Sequence, residues 1–124
     1  MPQYMLLIYP PADVAPREGM IDRWQAFNDT VAGDGALVTS GRLQPLESAT
    51  SVRVRDGETL ISDGPFAETK EFLAGFYLVE CPDLDRALRY AALMPVTDNG
   101  TVEVRPMMFP AGTTADEMKA AAEA

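Results

Sequence analysis

The side chains best suited to chemistry gather in one short stretch, where Asp63, Glu68, Lys70 and Glu71 flank Gly64, Pro65 and Phe66. Asp63 and Glu68 in a shared site would form a carboxylate pair, whose two environments can separate an acid from a base. Burial against Phe66 would raise the Asp63 pKa, as a general base working near neutral pH requires. The same residues have a plainer reading. Asp before Gly-Pro sets turns by bonding its side chain to backbone amides. Glu68 can be a solvated loop charge with Lys70 as its counter-charge, and Phe66 can be core packing.

Arg42 and Arg105 are the next candidates, because an arginine beside an apolar pocket receives a carboxylate through two parallel hydrogen bonds. Each can equally be half of a salt bridge in an acidic protein. Tyr9, Trp24 and Tyr77 have the types for an aromatic-lined cleft with a polar tip, and also for ordinary core packing. Asp63 and Glu68 are thus the candidate catalytic residues. Phe66, Arg42, Arg105 and Tyr9 are the candidate ligand-binding residues.

Composition narrows the chemistry further. The chain has no histidine and one cysteine, Cys81. The commonest neutral-pH base and the commonest transition-metal ligand are therefore missing, and no intrachain disulfide can form. No calcium-loop carboxylate array and no phosphate-cradling glycine loop occurs, so neither a metal nor an organic cofactor is expected. Cys81 closes an apolar run without a basic neighbour, which reads as a buried small hydrophobe.

The formal charge of −9, from 19 acidic and 10 basic residues in 124, disfavours nucleic acid and anionic lipid as partners. A small-molecule ligand is compatible with it. No apolar run reaches the roughly 20 residues of a membrane span. The start lacks a basic leader, so the cytoplasm is the expected location.

These candidates must be positioned by an alternating set of elements. Gln3 to Tyr9 reads as a strand closed by Pro10-Pro11, with a loop to Glu18. Met20, Ile21, Trp24, Phe27 and Val31 recur at helical spacing, predicting an amphipathic helix over 17–32. Ala36 to Leu43 reads as a strand weakened or bulged at Gly41. Thr50 to Arg55 alternates, Asp56-Gly57 turns, and Glu58 to Ser62 returns as a hairpin.

Phe72 to Cys81 is a long apolar strand. Asp83 caps a helix with Leu84, Ala87, Leu88 and Ala91 on one face. Gly100 to Met108 is the last strand. The expected domain is 1–110, with a tail over 111–124 that forms a short helix capped by Thr113 or Thr114.

Two βαβ units with right-handed crossovers give an α+β, ferredoxin-like antiparallel sheet, with both helices on one face and the hairpin inserted. The strands at 5–9 and 72–79 are apolar on both sides, and two helices cover only one. The other face is expected to meet a second copy in a homodimer. The alternative is that the hairpin or the tail folds over it.

Residues Ser62 to Gly75, SDGPFAETKEFLAG, resemble the signature of the YCII-related family, in its DGPF subgroup. YMLLIY before it, SVRVRDGETLISDGPF leading into it, and GFYLVECPDLDRAL and GTVEVRPM after it extend the resemblance over about 3–108. The resemblance implies a dimeric α+β barrel. It also implies a small-molecule cleft, since some members carry a His–Asp pair there and a few act in breakdown of chlorinated aromatics. DGPF proteins resemble products encoded beside extracytoplasmic-function sigma factors, which implies a regulatory setting.

This chain departs from the family pattern where the histidine is expected on the first helix, which offers Trp24, Phe27 and Asn28 instead. Two classes of function follow. One is a protein that binds or transforms a small organic molecule by metal-free carboxylate proton transfer. The other is a non-catalytic regulatory or interaction domain.

Overall fold

A computed structural model describes residues 1–11, 18–66 and 71–124. The strands are β1 (Gln3–Tyr9), β2 (Leu37–Arg42), β3 (Thr50–Arg55), β4 (Glu58–Asp63), β5 (Gly75–Glu80) and β6 (Thr101–Pro106). The helices are α1 (Met20–Gly33), α2 (Leu84–Leu93) and α3 (Ala115–Glu123). The main sheet has the order β2-β5-β1-β6, antiparallel throughout, and β3-β4 stand apart as a hairpin. This is the expected α+β arrangement, consistent with a ferredoxin-like α+β barrel subunit.

Strand alternation divides the sheet between two environments. Tyr4 and Leu6 of β1 and Val79 of β5 bury against Phe27 and Val31 of α1 and Ala87, Tyr90 and Ala91 of α2. Ile8, Tyr77, Val102 and Val104 pack against the same cluster. The alternate residues lie on the side away from the helices, where Met5 stands opposite Leu78 and Leu7 opposite Phe76. Leu78 is buried there, while Met5, Leu7 and Phe76 are half-buried.

Several local signals act as the sequence implies. Asp56 and Gly57 both have positive φ, 51° and 75°, as a two-residue hairpin turn matched to strand twist requires. Asp83 accepts the Arg86 amide at 2.9 Å and caps α2. Thr114 and Glu117 form a reciprocal capping box that starts α3 in the tail.

Three expectations are corrected. The irregularity in β2 falls between Leu37 and Thr39, not at Gly41. A Cβ on Gly41 would meet the Phe76 ring at 2.9 Å, so this glycine makes room for a cross-strand aromatic. Helix α2 is rotated from the predicted face, burying Ala87, Tyr90 and Ala91 and exposing Leu84 and Leu88. The cause is Tyr90: its ring enters the core while its hydroxyl donates to Asp34 at 2.7 Å. Finally, β5 begins at Gly75 rather than Phe72. Ala74 still donates to Ile8 and accepts from Leu43, but outside regular register.

Candidate functional site

The site grows from two periodicities. Along β2, Ser40 and Arg42 are two residues apart and share the helix-covered face. Ser40 stands opposite Tyr77, and Arg42 opposite Gly75, with Ile8 beyond Gly75 on β1. Along α1, Met20, Trp24 and Asn28 recur at intervals of four and form one stripe. Strand row and helix stripe do not close on each other. Between them lies a cleft of about 540 Å³, lined also by Pro10, Pro11, Ala74, Val96 and Asn99.

Gly75 keeps that space open. A Cβ there would stand 2.7 Å from the Gly41 carbonyl oxygen and 3.4 Å from the Arg42 Cα. Backbone approaches too closely for any side chain, and the floor beside Arg42 is consequently bare. The missing side chain is a packing requirement that also creates volume.

The walls are aromatic and apolar, with few polar groups, as in small-molecule sites generally. The Trp24 and Tyr77 rings lie nearly parallel, centroids 6.3 Å apart, and both meet Phe27 edge-on. The Tyr77 hydroxyl donates to Asn28 Oδ1 at 2.7 Å. Burial pushes the Tyr77 phenol above its ordinary pKa. Tyr77 is therefore a neutral donor at physiological pH, not a base.

The Arg42 side chain has no ion-pair or hydrogen-bond partner among the described residues. No carboxylate is among the described residues lining the cleft. At one margin Arg23 of α1 makes a two-pronged ion pair with Asp98, tying the start of the helix to the turn before β6.

The YCII-related domain family matches residues 2–109. The chain belongs to that family. An uncharacterised protein of Rhizobium meliloti (strain 1021) is 47% identical over 75 residues, covering 59% of this chain and 60% of the relative. The chain thus spans about three fifths of the length of the curated relative it matches.

In this YCII-related chain the candidate residues are dispersed. Arg42 lies at the cleft. Arg105 is on β6, the opposite sheet edge, and faces the other side beside Met5. Tyr9 is also on that other side, where its hydroxyl lies 3.5 Å from Glu103 Oε1. Asp63 ends β4, exposed and opposite Thr50, and is not a cleft-lining residue. Phe66 is 76% exposed, with the Arg53 guanidinium 4.8 Å above its ring. Glu68 and Lys70 lie outside the described residues.

Asn28, Ser40, Gly75 and Asn99 are among the cleft residues that sequence reasoning did not select. The usable signal was an amide in the Met20–Trp24–Asn28 stripe, an interval that otherwise carries apolar residues. Among the described residues no group of three or more acidic, histidine or cysteine side chains is placed to hold a metal. Also among them, no helix is long and apolar enough to cross a membrane. Cys81 is buried, and that burial pushes its thiol pKa up.

Proposed function

We propose that this YCII-related protein, which we place in the DGPF subgroup on its SDGPF segment, binds a small organic molecule in the cleft between α1 and the β2–β5 edge. The observation that carries this is the apolar cleft itself. It is roomy, floored by a glycine that backbone contact enforces, and supplied with polar groups from Asn28, Ser40 and Arg42. Proton transfer by a carboxylate would require Asp63 or Glu68 to reach this cleft. No described lining residue is a carboxylate, so binding rather than catalysis is the reading the geometry favours. A cytoplasmic homodimer, joined through the sheet face that carries Met5, Leu7 and Phe76, is the setting we propose for it.

Trp24 gives a direct test, because it is the chain's single tryptophan and it lines the cleft. Titration with small aromatic molecules should change its fluorescence saturably. Replacing Asn28 by Leu should weaken the response while the thermal melt stays cooperative. A flat fluorescence response, with no calorimetric heat, would count against the cleft as a ligand site.

One observation favours a second reading. The hairpin exposes Val52 and Ile61 side by side, at 62% and 68%. Exposed apolar pairs of this kind mark interaction surfaces. A regulatory interaction domain, in a sigma-factor setting as DGPF resemblance implies, would use that hairpin and leave the cleft empty.

A further inference from the structure

Resting on the reading of the cleft as a ligand site, we infer that its ligands are small organic anions. The apolar body lies against Trp24, Tyr77 and Ile8, and the carboxylate is received by Arg42.

The first argument is a census of donors and acceptors. Asn28 Oδ1 already accepts from the Tyr77 hydroxyl, so the group of Asn28 with no such commitment is its Nδ2 amide, a donor. Arg42 has only donors to give. Ser40 and the Asn99 amide can each donate or accept. With no carboxylate among the described lining residues, the site can satisfy an acceptor-rich ligand end through these donors and has no formal counter-charge for a cationic one.

The second argument is charge. In a chain of net charge −9, acidic partners are abundant, and Arg23 has taken Asp98. Arg42 has none among the described residues. The overall negative field disfavours anions, but at physiological salt it decays over about 8 Å. At contact distance the Arg42 guanidinium dominates. The bare floor at Gly75 leaves the approach to that guanidinium unobstructed, and its planar fork matches a carboxylate through two hydrogen bonds.

The test uses three probes of one shape: 2-naphthoate, 2-naphthamide and 2-naphthylmethylammonium, titrated calorimetrically into the full chain. The carboxylate should bind about tenfold or more tightly than the amide, as expected for a charge-assisted hydrogen bond. The ammonium should bind more weakly still. Arg42→Gln should remove the carboxylate preference, bringing the carboxylate down to about the affinity of the amide for the same variant, and Arg42→Lys should restore part of it. Equal binding of carboxylate and amide to the unaltered chain would overturn the anion inference and leave the cleft standing as a site. Tighter binding of the ammonium would do the same. Absence of binding by all three would overturn the cleft reading together with this one.

Discussion

Tyr77 on β5 and Asn28 on α1 are joined by a 2.7 Å hydrogen bond from the phenol to the amide oxygen, at the place where helix and sheet diverge to form the cleft. The bond fixes the donor face of Asn28 and holds the Tyr77 ring parallel to Trp24. Loss of the hydroxyl in Tyr77→Phe leaves a half-buried amide oxygen without this partner. The expected cost is about 1–2 kcal/mol in urea unfolding, with an unchanged denaturant slope. A loss confined to ligand affinity, with no change in stability, would show that the bond is remade with water.

Alkaline pH should destabilise the fold through the same residue. Burial raises the Tyr77 and Tyr90 phenols above their ordinary value, Tyr90 further through its bond to Asp34, and burial raises the Cys81 thiol as well. In each case the folded chain holds its proton more tightly than the unfolded chain. The resulting stability is full below the unfolded pKa values, about 8.5 for thiol and 10 for phenol. It is lost as pH rises through the raised folded values. Unfolding midpoints should therefore decline from about pH 9 upward, and Tyr90→Phe should flatten that decline. A midpoint that rose over this range would contradict the assigned sign.

The loop after β4 separates two roles that the sequence left open for Asp63. Its side chain has no hydrogen-bond partner among the described residues. The loop is held instead by Gly64, whose amide donates to the Ala49 carbonyl at 2.7 Å and whose φ is +99°. Ser51 adds a bond to the Gly64 carbonyl at 2.8 Å. Asp63→Ala should accordingly change stability by less than about 0.5 kcal/mol. Gly64→Ala should cost about 1–3 kcal/mol, because the backbone region is strained for any L side chain. Thermal melts of the two variants decide it. A loss above about 1 kcal/mol in the aspartate variant would restore the capping role.

The two sheet glycines make a graded pair. In Gly75→Ala the new methyl meets the Gly41 carbonyl, which is strand backbone and cannot yield without opening the β2–β5 ladder. A cost of about 2–3 kcal/mol is expected, with reduced room in the cleft. In Gly41→Ala the methyl meets the edge of the Phe76 ring on the half-buried far side of the sheet. That ring can turn aside, so about 1 kcal/mol is expected. Chemical denaturation of both variants checks the order, and equal costs would mean that Phe76 is as fixed as the backbone.

The fold was legible because its signals are local. Apolar runs, Asp56-Gly57, Asp83 and Thr114 each act within a few residues, and the sheet order follows from the βαβ repeats. The candidate site was legible only in part. Arg42 was reachable from its place on an edge strand, and Trp24 from its stripe. The importance of Gly75 depends on how closely β2 approaches β5, which no periodicity encodes. The phase of α2 was missed for a related reason: Leu84 and Leu88 outweigh Tyr90 on hydrophobicity alone. The partner that draws Tyr90 inward, Asp34, lies on a different element. Signature-loop reasoning drew attention to Asp63 and Phe66 because charge and aromatic residues cluster there. Clustering in sequence did not bring them to the cleft.

The sheet face away from the helices carries the last prediction. Met5, Leu7 and Phe76 form an apolar centre there that helix α3, exposed throughout, does not bury. The segment after β6 returns only as far as Gln3, where Met107 and Ala111 donate to its backbone and side chain. A second copy, related by a two-fold axis, would place the same apolar centre against itself, as an isologous interface requires. Sedimentation should then give about twice the 13.5 kDa chain mass. Leu7→Glu should halve that mass and leave the far-ultraviolet circular dichroism intact, because a charge repeated across the axis meets its own copy. Ile61→Lys, on the separate hairpin, should leave the mass unchanged. Monomeric sedimentation of the unaltered chain would refute the dimer. A dimer broken by Ile61→Lys and not by Leu7→Glu would move the interface from the sheet to the hairpin, because only the hairpin position would then lie within the contact.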